Sequence, residues 1–119
     1  MGQYTYNDIK NRIFEWSQKE IYQYLSEHDK VELSKNNDEA LIIDFTFRNC
    51  LAQLTVSQPY FAPCQFVFFE AATLDSVKAQ ISGEPEMIYF FYDLAEMSEK
   101  DVINGLGIGI QHCSNYMPN

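Results

Sequence analysis

Three glycines alternate near the carboxyl end of the sequence, in the stretch GLGIG: Gly105, Gly107 and Gly109. Glycine-rich segments cradle phosphate groups when they lie between a strand and the start of a helix, often followed by Lys and Ser or Thr. Here the helix signals begin earlier, at Ser98, and residues 102–111 contain no Lys, Arg, Ser or Thr. We therefore expect no nucleotide or other cofactor site. We expect instead a helix whose glycines allow close approach to an aromatic strand, or two short helices that meet near Gly105.

The residue types that most often catalyse reactions or bind metals are scattered along the chain. The two histidines, His28 and His112, are isolated, and the three cysteines show no C-x-x-C spacing. His112 adjoins Cys113, but neighbouring residues on a helix point about 100° apart and cannot easily act as a pair. A catalytic pair would have to form between distant segments, for example Cys64 with His112. We predict no catalytic residue and no metal site.

Acidic residues bracket the last aromatic segment of the sequence. They are Glu84, Glu86, Asp93, Glu96, Glu99 and Asp101. Such a cluster can be a solvated surface, or it can be a patch that docks a basic protein. The segment SQPYFAP adds Tyr60 and Phe61 between two prolines, either as exposed aromatic residues of a binding loop or as a loop folded back over the core. We predict that these eight residues bind a partner.

Charge and composition restrict the classes of function. The chain has 119 residues, 46% of them hydrophobic, and a net charge of −9, which predicts a single domain over 1–119 with a packed core. A negative field repels phosphate backbones and anionic membranes, so we expect a basic protein partner and neither nucleic acid nor membrane. No run is long enough to span a membrane, no signal peptide is visible, and the unpaired cysteines indicate the cytoplasm.

Two helices must position these residues. The first is predicted over about 6–27, with Thr5 as its cap and Asp8 three residues later. The second begins after Ser98, with Asp101 in the same relation and acidic residues in its first turn.

Five strands are predicted between the helices. They are KVELSK (30–35), ALIIDFTFR (40–48), CLAQLTVS (50–57), CQFVFFEA (64–71) and MIYFFYD (87–93). The first three alternate apolar and polar residues and are joined by short turns, which predicts an antiparallel meander. The second face of the sheet carries Ile42, Leu51, Val67 and Phe69, and would be a dimer or partner surface if nothing covers it.

These elements predict an α+β domain: a mainly antiparallel five-stranded sheet, with the N-terminal and C-terminal helices on one face. Its size, acidity and element order resemble the immunity proteins that neutralise bacterial toxins and the acidic dimeric chaperones of type III secretion. We predict a non-catalytic protein-binding module, monomeric or homodimeric, of the immunity type that holds a basic, nuclease-like toxin. The alternatives are a small enzyme or ligand-binding domain with a pocket between sheet and helices, and a dimeric secretion chaperone.

Overall fold

The computed structural model describes residues 3–58, 64–74 and 87–117. Within these ranges, two helices flank five strands, and a short 3-10 helix follows the first helix. The elements are α1 (Tyr6–Lys19), the 3-10 helix (Ile21–Tyr24), β1 (Lys30–Asn36), β2 (Ala40–Thr46), β3 (Cys50–Ser57), β4 (Val67–Thr73), β5 (Met87–Tyr92) and α2 (Glu99–Asn115).

The sheet is a meander in which every strand pairs antiparallel with the next, in the order β1-β2-β3-β4-β5. Asn37 shapes the first turn, because its side-chain oxygen accepts from the backbone N–H groups of Glu39 and Ala40. Both helices pack on one face, with α1 against β3 and α2 against β4 and β5. The predicted α+β fold is confirmed.

Both helices begin with the capping boxes that the sequence predicts. The Thr5 hydroxyl accepts from the Asp8 N–H, and the Asp8 carboxylate accepts from the Thr5 N–H. Ser98 and Asp101 repeat this arrangement at the start of α2. Each box satisfies N–H groups that would otherwise lack partners in the first turn.

The first helix is shorter than predicted. It ends at Lys19, and the chain tightens into the 3-10 helix over Ile21–Tyr24. Ile21 is fully buried, and the Tyr24 ring reaches α2 at Gly107. A periodic pattern over 6–27 does not distinguish one long helix from a helix that tightens, because the packing partner of the last turn lies far along the chain.

The core is a cluster of side chains between the helices and one face of the sheet. Phe69 lies at its centre, where it meets the rings of Phe45 and Tyr89 at centroid distances of 5.8 and 5.9 Å. Val67 and Phe69 are both fully buried there, so the prediction that they lie on the second face of the sheet was wrong. The sequence could not assign the two faces of this strand, because Phe66 and Phe68 on one face are as apolar as Val67 and Phe69 on the other.

The three glycines lie within one continuous helix of 17 residues, and each faces an aromatic ring. A Cβ added to Gly105 would lie 2.5 Å from Phe91 Cζ, and one added to Gly109 would lie 2.5 Å from Tyr89 Cε2. A Cβ on Gly107 would lie 2.7 Å from Tyr24 Cζ. The packing interpretation is confirmed, because no larger residue fits without moving a ring.

Candidate functional site

Asp93, predicted to belong to an exposed acidic patch, is fully buried instead. Its Oδ1 accepts from the backbone N–H groups of Phe66 at 2.8 Å and Val67 at 2.7 Å, and from that of Gln65 at 3.2 Å. Its Oδ2 accepts from the Tyr4 hydroxyl at 2.6 Å. The carboxylate therefore organises the entry into β4 and contributes nothing to the exposed surface.

The groups around Asp93 are held in their protonated forms. Burial, together with the hydrogen bond to Asp93, raises the pKa of the Tyr4 phenol above its usual range. Burial, followed by the charge of Asp93, raises the pKa of the Cys64 thiol to about 11. A thiol with this pKa is a poor nucleophile at neutral pH, because the thiolate is the reactive form.

The other described members of the predicted acidic patch are dispersed. Asp101 is engaged in the capping box of α2, Glu99 lines a groove between α1 and α2, and Glu96 is exposed. The remaining predicted residues lie outside the described residues: Tyr60, Phe61, Glu84 and Glu86. The partner-binding role of this set stays a prediction.

The two residues of the catalytic alternative, Cys64 and His112, make different contacts. The Cys64 thiol bonds to the Val67 carbonyl, whereas the His112 ring lies 5.8 Å from that of Tyr89. The groove between α1 and α2, of about 520 Å³, is lined by neither of them. In the described ranges, no group of three or more His, Cys, Asp or Glu residues could hold a metal ion.

Cys50 and Cys113 lie next to each other near the carboxyl end of α2. The Cys50 Sγ donates to the Cys113 carbonyl at 3.4 Å, and both residues are almost fully buried. The neighbouring Cys50 side chain, followed by burial, raises the pKa of the Cys113 thiol. These thiols pack β3 against α2 and present no reactive group to solvent.

The face of the sheet opposite the two helices offers a more coherent surface, which we call the outer face. Strand pairing aligns its side chains in rows that cross the sheet. The upper row is Lys30, Thr46, Leu51, Ala72 and Met87; the central row is Glu32, Asp44, Gln53, Glu70 and Phe90; the lower row is Lys35, Ile42, Thr55, Phe68 and Tyr92.

The central row carries the charge of the outer face. Asp44 accepts hydrogen bonds from the Ser34 hydroxyl and, at 2.9 Å, from Gln53 Nε2. Among the described residues, Glu32, Asp44 and Glu70 form no ion pair with a Lys or Arg. Because neighbouring strands lie about 4.8 Å apart, these carboxylates fall along a line of about 14 Å. No ion pair with a described side chain neutralises them, and the two lysines of the neighbouring rows, Lys30 and Lys35, lie at the β1 end only.

Aromatic side chains cover the β4–β5 end of the outer face. The Phe90 ring packs edge-on against Phe68 at 4.8 Å and against Tyr92 at 5.4 Å. Phe90 is nevertheless 51% exposed and Met87 is 47% exposed. Large exposed apolar side chains that adjoin one another are typical of interaction surfaces.

A depression of about 400 Å³ lies between the upper and central rows. Leu51, Ala72 and Met87 line it on the apolar side. Asp44, Gln53 and Glu70 line it on the polar side. The surface thus places carboxylates and an apolar concavity next to each other.

The comparisons with known proteins supply no relative from which a function could be transferred. No protein-family model matches the chain, and no curated protein or solved structure matches it. Neither helix in the described ranges is long and apolar enough to cross a membrane. The site must therefore be judged from its own geometry.

The acidic row cannot be found as a cluster of charge along the sequence. Glu32, Asp44 and Glu70 are each isolated in sequence and meet only through strand pairing. The short turn after β2 is the signal that could have revealed part of the row, because it fixes Asp44 opposite Gln53.

Proposed function

We propose that this protein is a non-catalytic binding module that holds a basic protein partner on its outer face. The observation that carries the proposal is the row of Glu32, Asp44 and Glu70, unpaired with any described cation and bordered by exposed Phe90 and Met87. Apolar side chains supply contact area, and the carboxylates supply charge complementarity and exclude acidic partners.

The net charge of −9 supports the same proposal. It accelerates encounter with a basic protein and opposes binding to nucleic acid. A basic, nuclease-like toxin is the partner class that an immunity-type role would require. The cysteines Cys50, Cys64 and Cys113 are all free thiols, which supports a location in the reducing cytoplasm.

Affinity capture in the native host tests the proposal with a variant that removes only the charge of the row. Glu32→Gln, Asp44→Asn and Glu70→Gln are combined in one chain. We expect the wild-type protein to retain a basic protein whose binding weakens with added salt, and the triple variant to lose it. Recovery of no salt-sensitive basic partner contradicts the proposal.

A matched triple variant controls for the loss of net charge. Glu15, Glu27 and Asp38 are exposed and lie outside the rows of the outer face, so the combination of Glu15→Gln, Glu27→Gln and Asp38→Asn removes the same charge elsewhere. This control should retain the partner. Equal loss of binding in both triple variants would mean that overall charge, and not the outer face, attracts the partner.

A further inference from the structure

The depression on the outer face has a simple origin in the sequence. Ala72 lies between Leu51 and Met87 in the upper row, where the pairing places all three side by side. A methyl group between two long side chains leaves a gap, and the gap is the apolar part of the concavity of about 400 Å³. The apolar lining of this part of the depression suits the aliphatic part of a long side chain.

The polar side of the depression supplies acceptors. Gln53 Nε2 donates a hydrogen bond to Asp44. The side-chain oxygen of Gln53 therefore remains available as an acceptor beside Glu70. Glu70 has no ion-pair partner among the described residues. A cationic group here would find one carboxylate and one amide oxygen next to it, with the Asp44 carboxylate beyond Gln53.

Other occupants fit this combination poorly. A purely apolar side chain would fill the depression but would remove water from the carboxylates of Asp44 and Glu70 without giving them a partner. A second copy of the chain, packed outer face to outer face, would bring two rows of Glu32, Asp44 and Glu70 towards each other. Repulsion between like charges opposes that arrangement.

We propose that the depression receives one Lys or Arg side chain of the basic partner. Its methylene groups pack on Leu51, Ala72 and Met87, and its cationic end lies between Glu70 and the Gln53 oxygen. This inference rests on the proposed function and names the element by which the partner is recognised. Long basic side chains combine these two properties, an apolar stem and a charged end.

Titrations with capped single amino acids test the proposal by nuclear magnetic resonance. The probes are N-acetyl-lysine-N-methylamide and its arginine, norleucine and Nε-acetyllysine counterparts. The signals followed are the Gln53 side-chain amide and the methyl groups of Leu51 and Met87. We expect saturable shifts with the two cationic probes, and binding at least about tenfold weaker with the two neutral ones. Equal binding of norleucine, or no saturable shift with lysine, overturns the proposal.

Three variants locate the binding. Glu70→Gln removes the charge beside the depression and should weaken the lysine probe, whereas Glu32→Gln removes the same charge from the far end of the row and should not. Ala72→Leu fills the depression and should abolish binding while leaving every charge in place. If Ala72→Leu does not fold, Met87→Ala removes an exposed wall instead and should weaken the probe.

The two proposals fail in different ways. If Ala72→Leu keeps the native partner while the triple variant of the central row loses it, the outer face is the binding surface and the depression is not used. If the triple variant keeps the partner, the proposed function itself is wrong. Lysine-probe binding that Ala72→Leu leaves unchanged also contradicts the depression as its site.

Discussion

The Tyr4 hydroxyl donates a hydrogen bond of 2.6 Å to the Asp93 carboxylate, which fastens the segment before α1 to the residue that follows β5. The same carboxylate accepts from the backbone N–H groups of Phe66 and Val67 at the start of β4. One buried charge thus joins three distant segments of the chain. Charge-assisted hydrogen bonds in a buried setting are among the stronger polar contacts in proteins.

Removing the Tyr4 hydroxyl should therefore destabilise the fold. For Tyr4→Phe we expect the free energy of unfolding to fall by about 1.5–3 kcal/mol, the usual value of a hydrogen bond to a charged group. Chemical denaturation followed by circular dichroism measures it. Tyr6→Phe is the control, because the Tyr6 hydroxyl makes only an exposed contact of 3.5 Å to the Asp38 carbonyl. Equal losses in the two variants would show that the Asp93 contact has no special role.

The Cys64 thiol should make stability depend on pH in the alkaline range. Its pKa is raised from 9.0 to about 11 in the folded protein, by burial first and then by Asp93. The folded state holds this proton more tightly than the unfolded state, so the stabilisation is fully present below pH 9 and is lost as pH rises through about 11. Denaturation midpoints measured from pH 8 upwards should fall more steeply in the wild-type protein than in Cys64→Ala. Parallel curves would contradict the assignment.

Alanine at Gly105 should destabilise the protein even though alanine favours helices. The substitution gains about 1 kcal/mol of helix propensity. It also places a Cβ 2.5 Å from Phe91 Cζ, and overpacking of this kind costs about 1–3 kcal/mol or more. We expect a net loss in thermal denaturation, and partial rescue when Phe91→Leu is added.

Asn104→Ala is the control for that experiment, because Asn104 is exposed on the same helix. Here only the propensity changes, so stability should rise by about 0.5 kcal/mol. The opposite signs of the two changes would separate packing from propensity. A stabilising Gly105→Ala would refute the close contact with Phe91.

The contribution of the α2 capping box to stability should also be measurable by thermal denaturation. Ser98→Ala removes the acceptor of the Asp101 N–H and should cost about 1 kcal/mol. Ser98→Asp restores an acceptor of comparable quality and should recover most of the loss. An unchanged midpoint for Ser98→Ala would mean that the first turn of α2 frays without consequence for the fold.

Local patterns were sufficient for much of the architecture. The strict alternation of Leu41, Ile43 and Phe45 identified the buried face of β2, and the two capping boxes located the starts of both helices. These features depend on residues that are close in sequence, because the alternation of a strand and the hydrogen bonds that cap the first turn of a helix are both local. The meander followed because the turns between its first strands are short.

Local patterns did not predict the contacts between distant segments of the chain. Strand β4 begins at Val67 and not at Cys64, because the N–H groups of Gln65 and Phe66 are directed to Asp93. Nothing near Asp93 in sequence indicates that its carboxylate turns inwards, so it was counted with its acidic neighbours. A charged residue is rarely buried unless several partners surround it, and these partners come from elsewhere in the chain.

The acidic row of the outer face also depends on contacts between residues that are distant in sequence. Asp44 and Glu70 are separated by 26 positions in the numbering but flank the same residue, Gln53, in the paired sheet. Their proximity is a property of register, which requires all the intervening turns to be correct. Clustering along the sequence therefore pointed to the acidic residues around β5. Strand pairing instead aligns a different set, Glu32, Asp44 and Glu70, across the sheet.

The meander also determines the order in which the chain can assemble during synthesis. Each strand can pair with its predecessor as soon as it emerges, which keeps these early contacts local and fast to form. Tyr4 precedes every strand but finds its acceptor only after Asp93, 89 positions later, has been made. The segment before α1 can therefore attach only after all five strands have been made, and of the elements described only α2 still follows.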